Sequence, residues 1–226
     1  MMILAIETAT PTASVAVVDD DRTLAVGERS VSTRGDVLIA LIDDVLKQAG
    51  LAIGDIDGVA VGAGPGSFTG LRIGMATAKG LCFARGVPLW TVSSLAALAH
   101  DAGPHPGRTV VPVLDARKSE VFAAAFRVDA GVPEPLTEAR VLSPQRLGSL
   151  LQGLPNPVLL GTGVIAYEAI IADLDVELLR DVRTTPSAES VGQLALRCSE
   201  HSNLAAAAPT YVRLSEAELK WKKHVP

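Results

Sequence analysis

Apolar positions run nearly unbroken over residues 2–7 and again over 13–18, with β-branched side chains in both stretches. Short runs of this kind predict buried strands. Asp19-Asp20-Asp21-Arg22 is a turn signal, and residues 23–32 read as a third strand. Three strands joined by short turns predict an antiparallel meander. The period then changes. Leu38, Leu41, Ile42, Val45 and Leu46 recur at helical spacing, with Asp43, Asp44 and Lys47 off that face. Asp36 suits the start of this helix and Gly50 its end. Residues 56–62 predict a buried strand, and 62–70 form a glycine-rich loop. A second helix follows over 71–85, with small residues at Gly74, Ala76, Ala78 and Gly80 and a stop at Gly86. Residues 87–92 predict a strand, and Ser93 or Ser94 caps a third helix running to Asp101.

The predicted order of the first half is therefore βββαβαβα. Pro104, Pro106 and Gly107 then mark a boundary. Beyond it, residues 109–114 and 120–128 predict strands, and so do 158–160 and 176–179. Helical patterns fall near 144–151, 166–174 and 188–200. The second half reads as a degenerate copy of the first. An α/β chain of two such copies has the layout of the actin-like, sugar-kinase and Hsp70 ATPase superfamily. The expected division is a first lobe over 1–106, a smaller lobe over 107–204, and a C-terminal segment over 205–226 packing back on the body.

Composition narrows the function. The 226 residues are 48% hydrophobic and 20% charged, enough to bury a sizeable core. Twenty Lys and Arg stand against 25 Asp and Glu, for a net charge of −5. A stand-alone nucleic-acid binder usually carries a basic stripe instead. Cys82 and Cys198 match no CxxC or disulfide framework, which predicts a reducing compartment with both thiols buried. The opening MMILAIETAT lacks a basic signal region, and Lys79 and Arg85 interrupt the longest apolar stretch. The expectation is a cytoplasmic protein with no membrane association.

The stretch Gly62-Ala63-Gly64-Pro65-Gly66-Ser67-Phe68-Thr69-Gly70-Leu71-Arg72-Ile73-Gly74 links a strand to a helix. Backbone N–H groups and the helix N-terminus there suit an anion, and a tight structural turn is the plainer reading. The Lys-Ser/Thr pair of a Walker motif is missing, and the glycine spacing fails the dinucleotide fingerprint. Gly64, Pro65, Gly66, Ser67, Thr69 and Gly70 are the candidate loop residues, with Gly66 expected at positive φ and Ser67 or Thr69 as the helix cap. Asp115, Arg117 and Glu120 surround a tight strand connection. They suit either acid–base chemistry or an Asp-mediated turn with an ion pair. No pair among His100, His105, His201 and His224 has metal-ligand spacing, so no metal is expected. Lys220-Trp221-Lys222-Lys223-His224 is either a solvated end or an RNA contact.

The blocks ILAIETAT, GAGPGSFTGLRIGMATAKGL, VLDARKSEVF and PTYVR, in this order, resemble the TsaB family of tRNA threonylcarbamoyladenosine biosynthesis proteins. The resemblance implies a non-catalytic paralogue of the transferase TsaD. The chain would be required for threonylcarbamoylation of adenosine 37 in tRNAs reading codons that begin with A. It would bind and activate TsaD, help recruit the ATPase TsaE, and meet tRNA only through that complex. The resemblance places the contact with TsaD on the helices at 36–49 and 71–85. Leu38, Leu41, Ile42, Val45, Leu46, Ile73, Met75 and Ala76 are the candidate interface residues. The same surface predicts a homodimer when the chain is alone. TsaD carries a His-x-x-x-His motif on the first of these helices, whereas residues 33–46 here, TRGDVLIALIDDVL, hold no histidine. Glu7 and Ala9 stand where the superfamily has an Asp and a close Gly for metal-bound phosphate, and the Ala9 Cβ adds bulk there, so no cofactor is expected. Glu7, Asp115, Arg117 and Glu120 then read as structural residues of the cleft. The rival reading is an ATP-binding kinase or phosphohydrolase of the superfamily, and a metallopeptidase is a further one.

Overall fold

The apolar runs at the start of the chain lie side by side in the middle of a sheet. β1 (Ile3–Glu7) pairs antiparallel with β2 (Thr12–Val18), and β2 with β3 (Thr23–Ser30). After α1 (Asp36–Ala49), β4 (Gly58–Gly62) adds parallel to β1. α2 (Phe68–Arg85) leads to β5 (Leu89–Val92), parallel to β4, and α3 (Ser94–Asp101) follows. The order is β3-β2-β1-β4-β5. The structure is a computed structural model that describes residues 1–20, 22–30 and 36–213. The expected strand end at Ser32 and the basic cluster from Lys220 to His224 lie outside the described residues.

The second sheet repeats this topology. Its strands are β6 (Thr109–Arg117), β7 (Glu120–Ala123), β8 (Phe126–Arg127), β9 (Glu134–Pro135), β10 (Arg140–Leu142), β11 (Pro157–Leu160) and β12 (Glu177–Leu178). The order β10-β7-β6-β11-β12 has the same sense at each step as the first sheet, with β8 pairing the start of β6 and β9 pairing β8. The helices are short: α4 (Leu147–Leu151), α5 (Thr162–Ala166), α6 (Glu168–Ile171) and α7 (Ala188–Leu196). The single strand expected over 120–128 is broken at Ala124 because β6 is long enough to pair β7 with one half and β8 with the other. β9 and β10 carry too little alternation to be read in advance.

Both faces of the first sheet are covered, which is why β1 is buried along its whole length. Leu4, Ile6, Val15 and Val61 pack with α1 and α2, while Ile3, Ala5, Ala16 and Ala60 pack with α3 and α7. α7 comes from the last third of the chain yet returns to this sheet. There Gly192 lies so close to β2 that a Cβ would meet Val18 at 2.6 Å. Asp101, at the end of α3, ties α7 in place. Its Oδ2 accepts from the Ser187 N–H at 3.0 Å, and its Oδ1 accepts from both the Ser187 and Ser190 hydroxyls at 2.7 Å.

This packing corrects the reading of the first helix. Leu38, Leu41, Ile42, Val45 and Leu46 are at most 6% exposed and belong to the core under the sheet. Met75 of α2 joins them there, Ile73 is half-buried and Ala76 is exposed. An apolar stripe serves one surface, and here that surface is β2 and β3, where a Cβ on Gly27 would meet Val45 and Leu41. The outward side of α1 carries Ile39, and that of α2 carries Phe83, 84% exposed. Two smaller expectations also change. Cys82 is buried, but Cys198 is exposed. Ser93 caps α3, accepting from the Ala96 N–H at 3.3 Å, while Ser94 turns inward.

Candidate functional site

Glu7 ends β1 with no exposed surface. Its Oε1 accepts from the Ala9 N–H at 2.6 Å and its Oε2 from the Ser94 hydroxyl at 2.7 Å. The Ser94 oxygen accepts in turn from the Gly64 N–H at 3.2 Å. Burial pushes the Glu7 carboxyl up to about 7, against the pull of the bonds from Ala9 and Ser94. Gly62 leaves the space this carboxyl fills, since a Cβ there would overlap it.

The glycine loop closes over the next residues. The Ser67 N–H donates to the Ala9 carbonyl at 2.7 Å, and a Cβ on Gly66 would overlap Ala9. Gly70 rests on the Thr8 carbonyl, Gly74 on the Thr8 hydroxyl, and that hydroxyl donates to the Gly70 carbonyl at 2.9 Å. Gly66, Gly70 and Gly74 thus present one glycine-lined edge to the β1–β2 turn. The residue at positive φ is Gly64 (φ +103°) rather than Gly66, which needs glycine for close approach instead. Ser67 caps α2 by accepting from the Gly70 N–H at 3.2 Å. Gly66 and Gly70 are closed on one side by Ala9 and Thr8, while residues 65–69 also line an open cleft.

Across a cleft of about 1060 Å³ stands the β6–β7 turn. Arg117, Lys118 and Ser119 are all left-handed, at φ +62°, +55° and +57°. Lys118 and Ser119 fill the two central positions between paired Arg117 and Glu120, where Asn-Gly is the favoured sequence. Each such residue costs roughly 1 kcal/mol or more. Asp115 holds the turn: its Oδ1 accepts from the Arg117 N–H at 2.8 Å and the Tyr167 hydroxyl at 3.2 Å, and its Oδ2 pairs with Arg117 Nη1 at 3.5 Å.

Residues 201–213 form a strap across both sheets. The Ser202 N–H donates to the Leu89 carbonyl at 2.7 Å, and the Thr210 N–H donates to the Ala63 carbonyl at 2.7 Å. Lys79 Nζ donates to the carbonyls of Ala205 and Ala207 at 3.2 and 3.0 Å. The Arg72 guanidinium stacks on Phe68 at 3.9 Å and donates to the Tyr211 hydroxyl at 3.1 Å. Two residues on, Arg213 Nη1 donates to the Ala116 carbonyl at 2.9 Å and to Glu120 Oε2 at 2.8 Å. The strap therefore joins α2 of the first sheet to the turn of the second.

The cleft brings together Pro65, Gly66, Ser67, Thr69, Asp115, Arg117 and Glu120; Glu7, Gly64 and Gly70 do not line it. A cavity of about 160 Å³ lies against Thr8, Leu38, Gly70 and Ile73. Sequence reading singled out none of Phe68, Arg72, Tyr211 or Arg213 as site residues. The signal was present in the Leu71-Arg72-Ile73 and Tyr211-Val212-Arg213 stretches, but nothing local connects residues 139 positions apart. Among the described residues, no group of three or more His, Cys, Asp and Glu could hold a metal. No described helix is long and apolar enough to cross a membrane.

The tRNA threonylcarbamoyladenosine biosynthesis protein TsaB of Escherichia coli (strain K12) is 33% identical over 229 residues, covering 99% of this chain and 98% of that protein. The chain belongs to the TsaB family. The TsaB of Bacillus subtilis (strain 168) is 28% identical, covering 98% of both. A family model described as TsaD: tRNA N6-adenosine threonylcarbamoyltransferase matches residues 34–221, so this TsaB domain is also TsaD-like. A crystal structure from Pseudomonas aeruginosa, an uncharacterized protein with similarity to peptidase YEAZ, superposes with a TM-score of 0.80 at 30% identity. It covers 94% of this chain and 99% of its own. The activator of the 2-hydroxyisocaproyl-CoA dehydratase from Clostridium difficile, at a TM-score of 0.56 and 11% identity, covers 100% of this chain and 99% of its own and shares the fold alone. The fold is actin-like.

Proposed function

We propose that this chain is a non-catalytic subunit of tRNA threonylcarbamoylation at adenosine 37, binding and activating TsaD and helping to recruit TsaE. The observation that carries the reading is the closed glycine loop. Thr8 and Ala9 pack directly on Gly70 and Gly66, and Glu7 is buried beneath Gly62 rather than turned to the cleft. The names of the curated relatives supply the pathway. In this reading the protein works in the cytoplasm, takes no cofactor, and meets tRNA within the complex. Residues 1–106 together with α7 act as one lobe, and the sheet from β6 to β12 as the other.

The interface then uses the outward sides of α1 and α2 rather than the buried stripe. Ile39 is 55% exposed and Phe83 84%, next to small residues such as Ala76 and Gly80 that let another helix approach closely. Alone, the same surface would pair with a second copy. The test is Phe83→Glu and, separately, Ile39→Glu, each checked for native circular dichroism. Binding to TsaD is then read by gel filtration at micromolar concentration. Loss of TsaD binding by folded variants, together with loss of tRNA modification, is the expected result. Leu41→Glu should instead fail to fold, because it buries an unpaired charge. Normal binding by both folded variants would move the interface elsewhere. Product formed by the isolated chain from ATP, threonylcarbamoyl-adenylate and tRNA would end the non-catalytic reading.

A further inference from the structure

Four cations border the cleft against two carboxylates, in a chain whose net charge is −5. Arg72 comes from α2, Arg117 and Lys118 from the β6–β7 turn, and Arg213 from the strap. The carboxylates are already engaged. Asp115 accepts from the Arg117 N–H and the Tyr167 hydroxyl, and Glu120 accepts from Arg213. The arginines have capacity left. Among the described residues Arg213 makes its hydrogen bonds through Nη1 alone and Arg72 through Nε alone, while the Arg117 guanidinium holds only Asp115, at 3.5 Å. Unused N–H forks of this kind match phosphate oxygens. The left-handed backbone at Arg117 and Lys118 places two of the cations on the cleft wall, and such strain persists where a function requires it. Tyr211, 43% exposed, adds an aromatic ring to the same wall.

The glycine loop offers no cradle on the side of Gly66 and Gly70, which packs on Ala9 and Thr8. The cations instead come from three separate chain segments around the opening, which suits phosphates repeated along a strand. We propose that the rim of this cleft binds single-stranded RNA, with phosphates on Arg72, Arg117, Lys118 and Arg213 and a base stacked on Tyr211. The proposal rests on the tRNA-modification reading for the source of the RNA. The site itself rests on the charges and geometry above.

The turn permits a test in which stability and binding separate. Asn tolerates left-handed backbone better than Arg or Lys, so the double variant Arg117→Asn, Lys118→Asn should hold or raise the melting temperature. The full chain is titrated against a fluorescently labelled single-stranded oligoribonucleotide, followed by anisotropy. The variant should bind about tenfold more weakly at low salt. Its plot of log K against log salt should flatten by about 1.4, at roughly 0.7 for each phosphate no longer neutralised. Should the double variant fail to fold, Arg72→Gln carries the same test with a flattening of about 0.7. RNA binding with unchanged affinity and slope in a folded variant would overturn the proposal, and so would a wild-type chain that binds no RNA. So would a free mononucleotide whose binding the variant abolishes while RNA fails to bind. Gel filtration of the wild type with TsaD is read separately. Its failure would sink the partner reading and leave the RNA result standing.

Discussion

The turn between β1 and β2 carries Thr8 to Pro11; the corresponding turn of the second sheet, between β6 and β7, carries Lys118 and Ser119. Both face the same cleft, and their physical states are opposite. The first is held from every side. A buried carboxyl anchors its start, and Gly66, Gly70 and Gly74 bring the loop and α2 against Thr8 and Ala9. The second is held at its ends, by Asp115 and by Arg213 on Ala116 and Glu120, and its left-handed residues are not glycine. The first turn is packed on the glycine loop at Thr8 and Ala9 and meets the cleft only with Ala9, Thr10 and Pro11. The second turn keeps exposed cations and unrelieved strain. Packing that tight serves stability, and strain that exposed marks the wall left for a ligand.

The contrast can be broken most sharply at Gly70. Gly70→Val drives a branched side chain into the Thr8 carbonyl, and neither α2 nor β1 can yield without opening the core between them. We expect about 4 kcal/mol of destabilisation or failure to fold, read by calorimetry. An unchanged melting temperature would mean that the first turn is not clamped.

A smaller effect comes from Glu7. The folded chain keeps this proton up to about 7, whereas a free glutamate releases it near 4.5. The folded state therefore binds more protons across that window, so stability is greatest below it and falls as pH rises through it. The loss attributable to this group is about 3 kcal/mol between the two values. Urea denaturation at acid and at neutral pH should show it, and Glu7→Gln should remove that slope. A Glu7→Gln protein with the wild-type pH dependence would show that the carboxyl is not confined as described.

The smallest effect sharpens the other side of the comparison. Ser119→Gly places glycine at the second central position of the β6–β7 turn, where φ is +57°. Relief of strain should raise stability by about 0.5–1 kcal/mol, read as a shift in the urea midpoint at constant slope. A loss of stability would show that Ser119 is not strained.

Much of the fold was legible because its signals are local. The helical spacing of Leu38 to Leu46, the stops at Gly50 and Gly86, and the strand–glycine–helix run from Gly58 to Arg85 all depend on neighbours a few residues away. The site was legible only in part. The glycine loop announced itself, but its spacing could not say whether an anion or the chain's own backbone lay against it. Gly66 illustrates this. A glycine required by positive φ and one required by close approach look the same in one sequence, and the Ala9 contact decides between them.

By itself, the sequence determined the order βββαβαβα, its shortened repeat, and the family resemblance carried by the glycine loop and the Pro209-Thr210-Tyr211-Val212-Arg213 block. Periodicity and turn chemistry act over a few residues, so they survive being read one residue at a time. Tertiary structure alone decided which side of α1 is buried, because an apolar stripe does not name the surface it meets. It alone brought α7 back to the first sheet and set Tyr211 beside Arg72 and Arg213 beside Glu120. Those pairings join residues far apart in the chain. They arise when two sheets, each with two faces to cover, share the helices and the strap that one chain can supply.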